Sequence, residues 1–336
     1  MRMRIITYLL FFCSLLFVSC QFGLNNKERG ASNRNITVFR YDKLLNEYVE
    51  FNSFSAWQKM NSEHFQATKY LIEDVLRLGQ VNDDNINGKL KTFYSDSTLH
   101  ILMKDVEVKY KDLDGVEKVL SSGFKRLKKE VPTIKIPYVY SQISALNESV
   151  VVGDSILGIS LDKYMGEDYP LYKRYFYDYQ CKSMKPQRIA PDCFTFFLVS
   201  EYPFPSDSNH ALIDAMLHNA KIGYVVSKIL NYSSLDQDLD YSSQEAEWCK
   251  QNMKNVWEYM IQNNNLYSTD PMLIRKYTKP APYTAFFGEG SPAMVGSWIG
   301  LQIIDSYMKN HKNTSLRQLL EMTDYRKILA ESNFKP

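Results

Sequence analysis

Glycine is scarce in this chain, 14 in 336 residues, and neither G-x-G-x-x-G nor a Walker loop can be assembled from them. That excludes the usual phosphate cradles. G-x-S-x-G is missing, and with it the nucleophile elbow of the α/β hydrolases. H-E-x-x-H is missing too, and no C-x-x-C pair or Cys/His cluster stands at zinc spacing. Cysteine is sparse at five. Beyond Cys13 and Cys20 only Cys181, Cys193 and Cys249 remain, an odd number that leaves at least one thiol unpaired and suggests buried apolar side chains. No basic run or stripe appears, so little is available to neutralise phosphates and nucleic acid is excluded as a partner. No internal repeat, low-complexity block or Pro/Gly-rich linker divides the body.

One apolar run is present, at the N-terminus. Two arginines in MRMR precede Ile5–Val18, which is followed by Ser19 and Cys20. This is the layout of a secretory signal peptide over residues 1–19. At 14 residues the run falls short of the roughly 20 needed to cross a hydrocarbon core of about 30 Å. Phe17, Val18, Ser19, Cys20 resembles a bacterial lipobox, with Phe17 in place of the usual leucine. Cys20 is then the lipidation site. Two or three acyl chains anchor durably, since each buried methylene adds about 0.8 kcal/mol. Residues 20–36, polar and rich in Asn and Gly, read as a flexible tether, and 37–336 as one globular domain. Removal of Arg2 and Arg4 leaves 38 basic against 38 acidic residues, so the body is neutral.

From Tyr41 to Glu130 the apolar spacing is helical, as in Trp57, Met60, Phe65, Tyr70, Leu71 and Val75 before Gly79. The period then changes. Segments 134–144, 149–153 and 156–161 are β-branched and aromatic, and predict an antiparallel meander of about three strands. Helical patterns resume over 169–184, 187–201, 208–231, 242–263, 292–311 and 314–332, with Ser242 and Ser243 as candidate caps of the fourth and Glu245 in its first turn, where a carboxylate favours the helix dipole. The expected fold is mainly α (α+β): a single helical domain with a small central antiparallel sheet.

A sheet followed by a long helix is the order of parts in zinc peptidases, a zincin-like arrangement. The corresponding helix, HALIDAMLHNAKIGYV, carries Asp214 and His218 four residues apart on one face, with His210 two turns before. No glutamate is placed there as base, so the sequence predicts no metal and no cofactor. Candidate pocket residues are Asp214, His218, Glu245 from the next helix, and Asp162 and Tyr164 after the sheet. No catalytic residue is assigned.

Several phrases in order carry a family resemblance: ISALNESVVVGDSILGISLDKYMGEDYPLY, YQCKSMKPQRIAPD, LYSTD, APYTAFFGEGSPAMVGSWIGLQIIDSYM and ILAESNFKP. The chain resembles the gliding-motility lipoprotein GldB family of Bacteroidetes, from about Phe39 to Pro336. The resemblance implies a membrane-anchored cell-envelope lipoprotein associated with gliding motility or its linked secretion apparatus. It also implies distant kinship with predicted zinc peptidases, here without the metal motif.

Two functions follow from these readings. The first is a non-enzymatic envelope component that binds another envelope, motility or secretion protein, or a wall or glycan ligand. Its binding surface would draw on the aromatics Tyr164, Tyr169, Tyr172, Tyr175, Tyr177 and Tyr179. The second is a metal-dependent hydrolase with an unconventional site built from Asp214, His218 and Glu245. No acidic cluster follows Cys20, which resembles proteins kept at the periplasmic face of the membrane.

Overall fold

The computed structural model describes residues 35–206 and 210–336. The leader, Cys20 and the tether up to residue 34 lie outside the described residues. Ile36, expected in the tether, is buried, and its N–H donates to Ser121 Oγ at 2.7 Å. The described residues form fifteen α-helices and one four-stranded sheet, the mainly α composition that the periodicity predicts.

The first half is built from β1 (Val38–Phe39) and six helices. These are α1 (Tyr41–Phe51), α2 (Phe54–Ser62), α3 (Phe65–Lys69), which widens into a π-helical stretch over Tyr70–Val75, α4 (Ile86–Tyr94), α5 (Ser97–Lys109) and α6 (Asp114–Glu130). Local chemistry sets their ends. Asp96 accepts from the N–H groups of Thr98 and Leu99 to start α5, and α6 begins with Asp114 and Glu117 and ends with Lys128 and Lys129, as the helix dipole favours. Helices α1 and α5 run antiparallel side by side. Lys43 Nζ meets Lys111 O at 3.1 Å, Asn46 meets Glu107 at 3.2 Å and Glu50 meets His100 at 3.3 Å.

The sheet is mixed, which corrects the expected antiparallel meander. Strands β2 (Tyr138–Gln142) and β4 (Ile156–Ser160) are parallel, in register from Tyr138↔Ile156 to Gln142↔Ser160. Only β3 (Val150–Gly153) is antiparallel, pairing β4 through the Asp154–Ser155 turn, and β1 adds to β2 in parallel, giving the order β1-β2-β4-β3. The connection 143–149 therefore passes beyond the end of β4 rather than turning back on β2. Asp162, two residues past β4, makes this route stable. It accepts from Ser144 N at 2.8 Å, Ser144 Oγ at 3.1 Å and Leu146 N at 2.7 Å, while Ala145 and Leu146 take left-handed φ of 53° and 66°. Strand β4 is flanked on both sides and every residue in it is buried, so its unbroken apolar run fits an interior strand.

After the sheet the expected helix over 169–184 is two single turns, α7 (Tyr172–Tyr175) and α8 (Asp178–Cys181). Phe176 and Tyr177 between them are extended, and the Tyr177 N–H is taken by Gln180 Oε1, a local bond that competes with continued helix. Then come α9 (Ile189–Glu201), α10 (Leu212–Ile229), α11 (Ser243–Gln262), α12 (Pro271–Thr278) and α13 (Val295–Asn310). The expected helix over 314–332 is split into α14 (Leu316–Glu321) and α15 (Tyr325–Glu331), because Met322 is extended and Asp324 caps a new start at Lys327 N.

Helix α10 is the axis of this half. Fifteen of its 18 residues are buried, and it packs against α6, α9, α12, α13, α14 and α15. Its closest partner is α13, where Gly300 faces the Met216 carbonyl so tightly that a Cβ would sit 2.6 Å from the oxygen. Any side chain at 300 would force the two backbones apart. Cys181, Cys193 and Cys249 are free and buried.

Candidate functional site

The N-terminal end of α10 carries the most chemistry. Asp214 Oδ2 accepts from Ala211 N–H at 2.9 Å and so closes the first turn of the helix. One turn on, His218 is 3 % exposed, its Nδ1 is 2.9 Å from Tyr325 Oη, and Phe204 packs on its ring. Three residues further, Lys221 is 2 % exposed. Its ammonium donates to Leu320 O and Met322 O, both at 2.8 Å, and lies 5.4 Å from the Tyr325 ring centre. These carbonyls end α14, so the lysine serves as a C-terminal cap reaching in from another helix.

Burial governs the protonation of this group. It pushes the His218 imidazole down to about 4, helped by the Lys221 and His210 charges, and pushes the Lys221 ammonium down to about 8. It raises the Tyr325 phenol to about 12, with Asp214 adding to the shift. At neutral pH the histidine is thus uncharged and the phenol protonated. Beside them a surface pocket of about 430 Å³ is lined by Pro205, His210, Asp214 and Thr323–Arg326. His210 stacks on Phe204 and bonds Pro205 O.

The other predicted residues lie elsewhere. Glu245 does not line this pocket. It caps α11 by accepting from Ser242 N, and it accepts from Lys182 Nζ at 2.7 and 2.6 Å. Burial alone would raise its carboxyl, yet Lys182 and Ser242 hold it below the usual range. Asp162 is fully buried and spent on the 143–149 crossing; burial raises its carboxyl against the pull of the Ser144 and Leu146 donors. Tyr164, also buried, donates to Asp192 Oδ2 at 3.0 Å, and Asp192 in turn pairs with Arg188 at 2.7 Å. Tyr110 and Tyr172 hold the same turn, donating to the carbonyls of Tyr164 and Asp162 at 2.5 Å each.

These contacts decide the fit to a zinc ion. A ligating set needs three or four donors converging with free lone pairs. Asp214 is bonded to its own helix start, His218 to Tyr325 and Glu245 to Lys182, and among the described residues no group of three or more His, Cys, Asp or Glu could hold a metal. The donors do not fit the ion.

The tyrosine-rich stretch divides in two. Tyr164 and Tyr172 are buried and Tyr169 is half-buried, donating to Asp105 at 2.7 Å, so these pack the fold. Tyr175 and Tyr177 are exposed, and Tyr177 stacks on Tyr179 with centroids 5.9 Å apart. Lys221 and Tyr325 were not among the residues singled out by sequence. The 214, 218, 221 spacing on one face of an otherwise apolar helix was the available signal for the lysine.

A buried central helix, a small mixed sheet before it and a pocket whose polar side chains are tied into the fold define a helical scaffold of the kind expected from the ordered phrases in the sequence. The chain belongs to the family of gliding motility protein GldB, whose family model matches residues 25–336. Neither a curated protein nor a solved structure matches the chain, so no solved zincin supports a zincin-like arrangement. Membership makes this a gliding-motility-associated protein.

Proposed function

We propose that the protein is a non-catalytic binding or assembly component of the motility machinery or its linked secretion apparatus, anchored by acyl chains on Cys20 at the periplasmic face of the envelope membrane. The observation that carries the non-catalytic reading is the bonding at the start of α10, where Asp214, His218 and Lys221 are each committed to Ala211, Tyr325 and the end of α14. The anchor reading is supported by the Ser19-Cys20 lipobox and by the family, and no helix among the described residues is long and apolar enough to cross a membrane. The binding reading is supported by Tyr175 and Tyr177, amphipathic rings of the type enriched at interfaces.

Two experiments test this. Cys20→Ser in the full chain is expected to abolish incorporation of labelled palmitate, and unchanged incorporation would end the anchor reading. A photo-crosslinking residue at 175 or 177 is expected to capture one reproducible envelope protein in intact cells, and the absence of any reproducible product at both positions would end the binding reading. The hydrolase alternative draws on one observation, the 430 Å³ pocket beside Asp214 and Tyr325. A bound metal at one per chain, lost in His218→Ala, would favour it.

A further inference from the structure

We propose that the corner between α1 and α2 is a lipid-docking surface, seated in the same bilayer that holds the Cys20 acyl chains; the inference rests on the anchor reading above. Phe51 at the end of α1 is 74 % exposed and Phe54 at the start of α2 is 76 % exposed, the two most exposed large apolar side chains among the described residues. Nothing in the fold accounts for them. They do not hang from a loose loop, because the corner between them is pinned at each residue. Asn52 takes the left-handed conformation, φ 52°, and accepts from Lys91 Nζ at 2.7 Å. Ser53 Oγ accepts from Ala56 N–H to cap α2 and donates to Glu47 at 2.7 Å. The chain is held so that two aromatic rings stand exposed on either side of one short corner.

Further apolar side chains are exposed on the neighbouring helix α5. Glu50, one residue before Phe51, meets His100, and Ile101 beside it is exposed. Val108 is exposed two turns along α5 on the same face as Ile101, with exposed Lys104 between them. The charges nearby leave one positive in excess: Lys43, Lys59, Lys91 and Lys104 stand against Glu47, Glu50 and Glu107. An apolar tip with one excess positive charge around it suits a bilayer that carries anionic headgroups.

The chain outside the described residues says which bilayer. It joins the body at Asn35, a few residues before Tyr41 opens α1. Fifteen residues from Cys20 to Asn35 reach about 50 Å when extended, whereas the eleven residues of α1 put Phe51 only about 16 Å beyond Tyr41. The reach of the tether exceeds the length of α1, from Tyr41 to the corner, roughly three times over. Anchor and corner can therefore occupy one membrane, the corner adding buried apolar area to acyl chains that already anchor durably.

The test uses the full acylated chain in vesicles of phosphatidylethanolamine and phosphatidylglycerol. The native thiols are buried or acylated, so a thiol-reactive fluorophore goes to Phe54→Cys, or to Lys312→Cys as a reference on the turn after α13. A nitroxide-labelled lipid in the same vesicles is expected to quench position 54 at least about threefold more than position 312, as for a side chain below the headgroups. Equal quenching at the two positions, in protein that floats with the vesicles, would overturn the docking surface while leaving the anchor intact. An unquenched position 54 that becomes shielded from label only in intact cells would also overturn it, in favour of a protein partner. Failure to float at all would overturn the anchor reading and this inference together.

Discussion

Asp162 and Lys221 are two fully buried charges of opposite sign, and the backbone neutralises each in a different way. Asp162 gathers N–H and hydroxyl donors from a loop whose two central residues are left-handed, so it fixes a crossing that no regular structure supports. Lys221 gathers the terminal carbonyls of a formed helix, so it docks a finished element onto α10. The first charge decides a topology and the second decides a packing contact. Loss of the first should therefore cost more than loss of the second.

Removing the carboxylate gives the largest expected effect. Asp162→Ala leaves two amides and a hydroxyl without their acceptor and should destabilise the fold by about 4 kcal/mol, measured by urea unfolding. A change under about 1 kcal/mol would mean that the loop finds its route without Asp162. The next effect is an acid window. His218 titrates near 4 in the fold against 6.5 when unfolded, so the unfolded chain binds the extra proton between those values. Stability should fall by about 3 kcal/mol as pH drops from 6.5 to 4, and His218→Gln should flatten that part of the curve.

Lys221 tests the other side of the comparison. Its ammonium titrates near 8 in the fold against 10.5 unfolded, so stability should rise with pH across that window. Lys221→Met should abolish the rise and cost about 1–2 kcal/mol at neutral pH, because two carbonyls lose their donor while an ammonium no longer has to be buried. A variant as damaging as Asp162→Ala would put the two charges on the same footing. Glu245→Gln should cost least, below about 1 kcal/mol, since its pair with Lys182 is partly exposed and the capping bond survives.

Much of the architecture was legible from spacing. The α10 and α11 helices follow from apolar periodicity; of the two candidate caps Ser242 is the one used, and Glu245, expected only as a first-turn carboxylate, closes a capping box with it. Helix α12 was readable and unread, since Asp270 followed by Pro271 is a start signal. The parallel pairing of β2 with β4 was not readable, because the alternation of a strand states which face is buried and not which neighbour it meets. The pocket at α10 was half legible. Asp214 and His218 share a face by their spacing, whereas Tyr325 reaches His218 across 107 residues of chain, a distance no local pattern encodes. Glu245 shows the opposite failure, a residue of the right chemistry whose helix start keeps it at Lys182.

The two-residue strand β1 has a mechanical consequence. A pull on the chain ahead of residue 35 reaches the bond of Ile36 to Ser121 first and then Val38 and Phe39, where the resistance is a short parallel pairing with Val139 and Tyr140 plus the bond of Val38 to Glu117. These few bonds would yield first, paying out several residues of slack while α10 and α13 stay locked at Gly300. A fold so built gives under tension at its N-terminal strand and keeps its centre intact.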